Sequence, residues 1–122
     1  MQAYDIVCNL MMDHDYRAKL REKDYIRHIY ESFDLDKIEE RKLEKVSHLT
    51  TLVAFHSDML PTIIQSKLLA FIIEMTNTKF SVTIRSNAVL AISLLTYHEV
   101  LFHELINNNV IDMVMDLCVD PK

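Results

Sequence analysis

Apolar residues recur along this chain at helical spacing, and the helical pattern itself recurs. Residues 2–12 place Ala3, Ile6, Val7, Leu10 and Met11 on one helix face. A second run carries Leu49 and Val53, and a third carries Ala91 and Leu95. The apolar columns read Leu10–Val53–Leu95, Ile6–Leu49–Ala91 and Leu20–Ile63–Leu105, at intervals of 43 and then 42 residues. Self-similarity at such a period predicts stacked helical units. One unit cannot bury its own apolar face, so each must lean on the next.

Each unit divides into helices of unequal length. After residues 2–12, a short helix is expected from about Asp15 to near Glu22, and a third is capped by Asp24 with Ile26, Ile29, Tyr30 and Phe33 inward. Asp34-Leu35-Asp36 reads as a break. Asp36 and Glu39 form a D-x-x-E capping pattern that starts a helix over 37–56. Its early turns are charged, with Glu39–Lys42 and Arg41–Glu44 at i,i+3. Its later turns are apolar, with Val46, Leu49, Leu52 and Val53. Ser57-Asp58 is expected to cap a short helix with Pro61 in its first turn, where a missing N–H costs little. Ser66 or Lys67 begins a helix through Met75, and Thr76-Asn77-Thr78 is a loop. A long helix over 80–97 reads as buried almost all round, through Val82, Ile84, Ala88, Val89, Ala91, Ile92, Leu94 and Leu95. A short helix over 98–107, an asparagine turn at 107–109 and a last helix over 109–118 complete the series.

Composition agrees with helices. Glycine is absent and proline occurs only at Pro61 and Pro121, which argues against tight hairpins, whose φ > 0 positions are normally glycine, and for helices joined by short loops. Half the residues are hydrophobic in a chain of 122, enough for one domain with a real core. The net charge is −5, but the charges crowd into the first half: residues 1–61 hold 9 basic and 12 acidic side chains, residues 62–122 hold 4 and 6. The second half therefore either is more deeply buried or presents an apolar surface. No basic cluster suits nucleic acid, because Arg17, Lys19, Arg21 and Lys23 are spaced by two, with Glu22 and Asp24 among them, and spread around a helix. The longest apolar run, Leu68 to Ile73, is far too short to span a bilayer. No basic n-region of a signal peptide is present. Cys8 and Cys118, at opposite ends, read as reduced thiols of a cytoplasmic protein.

The order long, short, medium, repeated at about 42 residues, resembles the armadillo repeat. His98 to Ile106 matches that family's first helix. Asn109-Val110-Ile111-Asp112-Met113-Val114-Met115-Asp116-Leu117 matches its G-x-I-P-x-L-V-x-L stretch, with Asn109 where glycine is usual. Ile26, Leu69 and Ile111 occupy the isoleucine column; Ile29, Ile72 and Val114 occupy the following leucine column. Ile6-Val7-Cys8-Asn9-Leu10-Met11 resembles the end of a third helix. The two-helix HEAT repeat is the nearest competitor. The resemblance implies an all-α, right-handed solenoid of about three stacked units: a third helix at 1–13, repeats at 14–56 and 57–97, and a partial repeat at 98–119, expected as either a piece of a longer array or a minimal natural one. It also implies protein binding on the concave surface of the third helices. In peptide-binding members an asparagine ladder grips an extended ligand between tryptophans. Here Asn9 is followed in its column by Leu52 and Leu94, the tryptophan column holds Asp5, His48 and Leu90, and tryptophan is absent. A helical or folded partner fits better than an extended basic peptide.

The expected binding face is therefore Asn9, His48, Thr51, Leu52, Leu90 and Leu94. Self-association through exposed repeat ends is the alternative, carried by Ile6 and Val7 at one end and Val110, Val114 and Met115 at the other. Catalysis, cofactors and metals find no support. Without glycine there is no phosphate-cradling loop or nucleophile elbow. His98 and His103 stand five apart, about 140° around a helix, where a zinc helix needs a spacing of four. His48 and His56 lie two turns apart, and His14 between Asp13 and Asp15 reads as a solvated turn. The methionines, Met11, Met12, Met75, Met113 and Met115 among them, fall at core spacing more than they mark an adaptable surface.

Overall fold

The computed structural model describes residues 2–32, 34–65 and 68–107, with 112 and 115 beyond them. Within these the chain is all-helical and holds no strand. Helix α1 spans Gln2–Leu10, α2 His14–Glu22, α3 Tyr25–Glu31 and α4 Glu40–Phe55. A 3-10 turn at Ser57–Met59 leads into α5 at Leu60–Gln65, then α6 at Leu68–Glu74 and α7 at Val82–Leu95. A second 3-10 turn at Glu99–Leu101 leads into α8 at Phe102–Asn107. The asparagine turn and most of the last expected helix lie outside the described residues.

Local chemistry sets the boundaries. Asp13, in extended conformation, accepts from the backbone N–H groups of Asp15 at 2.8 Å and Tyr16 at 3.3 Å, so α2 starts on a side-chain cap. Ser81 does the same for α7 through Ile84 at 3.3 Å. Pro61 falls in the first turn of α5, as expected. Two expected caps are corrected. Asp24 precedes α3 but sits in the left-handed region at φ 59, without a side-chain cap bond, and its carboxylate meets Arg27 at 2.8 Å. In a glycine-free chain an aspartate takes this conformation because its short polar side chain tolerates it. Asp36 does not start α4, which begins at Glu40. Asp34 turns the chain instead, accepting Asp36 N at its carboxylate and Lys37 and Ile38 N at its carbonyl. That turn lets Leu35 and Ile38 pack on the core.

Helices α1, α4 and α7 lie side by side in that order. Lys45 of α4 reaches Asp5 of α1 at 2.8 Å, and Thr51 and Ser47 of α4 bond Asn87 of α7. Behind them, α3 meets α6 where Tyr30 and Phe71 pack edge to face, centroids 5.1 Å apart. The buried Tyr30 hydroxyl shares a hydrogen bond with Thr50 of α4, whose own hydroxyl donates to Val46 O. One core runs through all of this. It takes Cys8 from α1 and Met11 from the turn after it, Leu20 from α2, Ile26 from α3 and Val46, Leu49 and Val53 from α4, and continues through Ile72, Ile84 and Leu95 to Leu105. Burying side chains of this size contributes about 1.5–3 kcal/mol each, which is what holds short helices that would not persist alone. Met59 and Met75 are core residues too, whereas Met12 is exposed.

The helix α7 differs from expectation. Ile84, Ala88, Ala91, Ile92 and Leu95 are buried, but Val82 is 76% exposed and Val89 and Leu90 also face outward. The helix is one-sided despite an apolar sequence.

Candidate functional site

The burial pattern sets the register of the three parallel helices. Met11, Val53 and Leu95 have no exposed surface, and Cys8, Thr50 and Ile92 are buried one turn earlier. Both sets repeat at 42 residues throughout, not at 43 and then 42. The column Ile6–Leu49–Ala91 is therefore corrected: Leu49 and Ala91 are buried, whereas Ile6 is 58% exposed. Val7 takes the place aligned with Leu49. The slip lies in the connection after α1, where Met11 to Leu20 is nine residues but Val53 to Ile63 and Leu95 to Leu105 are ten.

With that register, three rows cross the outward face. Ile6, His48 and Leu90 form an exposed row. Leu10, Leu52 and Leu94 form a half-buried row whose last two members pack on the core. Asn9, Thr51 and Ser93 form a polar row. Spacings of three and four put all of these on one side of each helix. At the C-terminal ends of α4 and α7 the face continues in Phe55 and Tyr97, the latter 82% exposed. Charge collects instead at the start of α4, in Glu40, Arg41 and Glu44. The face spanning three helices is thus mostly apolar, with a charged rim at one end.

All six residues of the expected binding face lie here. Asn9, His48 and Leu90 are exposed; Thr51, Leu52 and Leu94 are intermediate. Thr51 Oγ1 is committed to the Ser47 carbonyl at 3.2 Å and the Asn87 carbonyl at 3.1 Å. The asparagine column changes membership: Asn9 aligns with Thr51 and Ser93, not with Leu52 and Leu94. Sequence reading missed Phe55 and Tyr97. Their signal was an aromatic residue 42 apart at the end of two aligned helices. Of the residues expected at the repeat ends, Ile6 lies on this face, Val7 is partly buried against the core, and Met115 is exposed. Val110 and Val114 lie outside the described residues.

Several other clusters have structural partners. Arg17 meets both carboxylate oxygens of Asp58, at 3.2 and 3.1 Å, donates to Met11 O at 2.8 Å, and is joined by Arg21 at 3.3 Å. Asp58 therefore ties α2 to the first 3-10 turn rather than capping a helix. His56, at the end of α4, has a buried Nε2; desolvation, then the nearby Arg17 charge, hold its pKa below the ordinary value, against a smaller pull from Asp58. Cys8 is a buried free thiol whose pKa is raised by burial and by Asp5. An open pocket of about 600 Å³ between α3 and α6 has an aromatic floor of Tyr30 and Phe71. Its carboxylates are engaged: Glu31 with Arg27 at 3.5 Å, and Asp36 and Glu74 with Lys79 at 2.9 and 3.9 Å. The hydrogen bond to Lys79 lowers the Asp36 pKa, and the same bond raises that of Lys79. Among the described residues, no three His, Cys, Asp or Glu gather to hold a metal ion. No helix among them is long and apolar enough to cross a membrane.

No family model, curated protein or solved structure matches this chain.

Proposed function

We propose that the chain is an armadillo-like stack of helical units that captures a protein partner on the outward face of α1, α4 and α7. The observation that carries this reading is the exposed row across three neighbouring helices, Ile6 and Leu90 with His48 between them, flanked by the half-buried Leu10, Leu52 and Leu94 and extended by Phe55 and Tyr97. A contiguous apolar patch rimmed by charge is what protein interfaces use, and exposed aromatics are frequent anchors in them. The polar row supports a partner held by its side chains. Thr51 already serves two carbonyls of this chain, so Asn9, Thr51 and Ser93 do not make a ladder of free amides for an extended backbone. An amphipathic helix, presenting apolar residues at i, i+3 and i+4, suits the rows. The reading assigns the module an adaptor role in the cytoplasm, without cofactor or catalysis.

The test is capture from a native lysate with paired variants. Leu90→Asp with Ile6→Asp, both on exposed positions, should lower recovery of the bound partner at least about tenfold, or 1.4 kcal/mol. Lys23→Ala, away from the face, should leave recovery unchanged. Helical circular dichroism should be the same for all three proteins. Recovery of the same partner by the double variant refutes the assignment.

A further inference from the structure

The three outward helices meet one another through the same two repeat positions. At the first junction Asp5 of α1 receives Lys45 of α4 at 2.8 Å. At the second, Asn87 of α7 donates its Nδ2–H to the Ser47 hydroxyl of α4 at 2.9 Å. Ser47 stands 42 residues after Asp5, and Asn87 stands 42 after Lys45. Each helix thus shows one position to the helix that follows and another to the helix that precedes.

One step beyond either end, the same rule names two residues. Val89 lies 42 residues after Ser47, and Ala3 lies 42 before Lys45. Both are exposed, Val89 at 36%. Val82, Ser86 and Ser93 share the flank of Val89 on α7, at spacings of three and four; Val7 and Leu10 share the flank of Ala3 on α1 in the same way. The charges of these two helices point elsewhere. Asp5 is turned to α4, and Arg85 donates to Thr76 O at 3.2 Å. Where one internal junction is an ion pair and the other an amide–hydroxyl bond, the open ends present a small apolar pair. Such a pair needs no counter-charge and leaves no polar group unsatisfied when covered.

We propose that the Val89 flank of one molecule docks on the Ala3 flank of a second copy, head to tail, continuing the order α1–α4–α7 across the molecular boundary. A second copy is the occupant because, at both junctions inside the chain, the position aligned with Val89 is met by the position aligned with Ala3. Such a contact is heterologous, so association is open-ended rather than closing at a dimer. The inference rests on the order and register of the helices, not on the outward-face reading, and either can fail without the other.

Sedimentation velocity and light scattering on the full chain test it. The average mass of the unmodified protein should climb with concentration beyond that of a dimer. Val89→Asp and Ala3→Lys, each alone, should remain monomeric with unchanged helical circular dichroism. Mixed in equal amounts, the two variants should associate again, because the new carboxylate then meets the new ammonium as Asp5 meets Lys45. That restored association should weaken with added salt. If Val89→Asp loses its helical signal, Val82→Asp on the same flank replaces it. A protein monomeric at every concentration overturns the proposal. So does a mixture that fails to recover, or a Val89→Asp block without any effect of Ala3→Lys, which would mark an α7-to-α7 contact.

Discussion

Replacing Met11 by alanine should cost far more stability than replacing Ile6, and the comparison decides the register on which the outward face depends. Met11 has no exposed surface. Its truncation loses the transfer energy of the removed atoms and leaves a cavity, about 2–5 kcal/mol together. Ile6 is 58% exposed, so only about two fifths of its burial is at stake. Scaling about 2–3 kcal/mol for a fully buried isoleucine gives about 1 kcal/mol. In a chain of this length each kcal/mol moves Tm by about 4 °C, so Met11→Ala should melt about 8–20 °C lower and Ile6→Ala within about 4 °C of the unmodified protein. Urea melts followed by circular dichroism should give the same order with unchanged slopes. Had the apolar columns set the register, Ile6 would share the buried position of Leu49 and Ala91, and the order would invert. Equal losses, or a greater loss at Ile6, would refute the register and with it the outward row.

Three further outcomes are expected. His56 has a depressed pKa in the folded chain, so the unfolded state takes up its proton first as pH falls through the ordinary value of 6.5. Folding stability should therefore drop on acidification from neutral pH into the range below 6.5, and His56→Gln should flatten that drop in urea melts taken across the range. Asp58→Asn should destabilise by about 1–3 kcal/mol in chemical denaturation, because the partly buried Arg17 loses an ionised partner at two oxygens. Asp24→Gly should be near neutral, whereas Asp24→Val should cost about 1–2 kcal/mol, since a β-branched residue resists the left-handed conformation at φ 59.

The helices were legible wherever local chemistry decided them. Pro61 falls in a first turn as the sequence predicts, and Asp13 and Ser81 cap helices at His14 and Val82 that the sequence pattern starts at about Asp15 and 80, within two residues. The start of α4 was not legible, because Asp34 and Asp36 are equally good capping residues. The choice between them fell to Leu35 and Ile38, which reach the core only if the chain turns first. Register in α1 failed for a related reason. Ile6 and Val7 are both apolar, as are Leu10 and Met11. Either member of each pair satisfies a hydrophobic column, so intervals of 42 and 43 look alike until burial separates Met11 from its neighbour.

From its sequence alone, this chain is determined to be helical, without the glycines that tight hairpins need, and to repeat an apolar pattern at about 42 residues. Those properties follow from backbone preferences and from periodicity, which are local. Which apolar residues end up in water was decided only by the tertiary structure. Val82, Val89, Leu90 and Tyr97 are as apolar as their buried neighbours, but α4 covers one side of α7 and the core another. A helix has a limited number of neighbours, and a sequence that is apolar all round does not say which of its faces they will take.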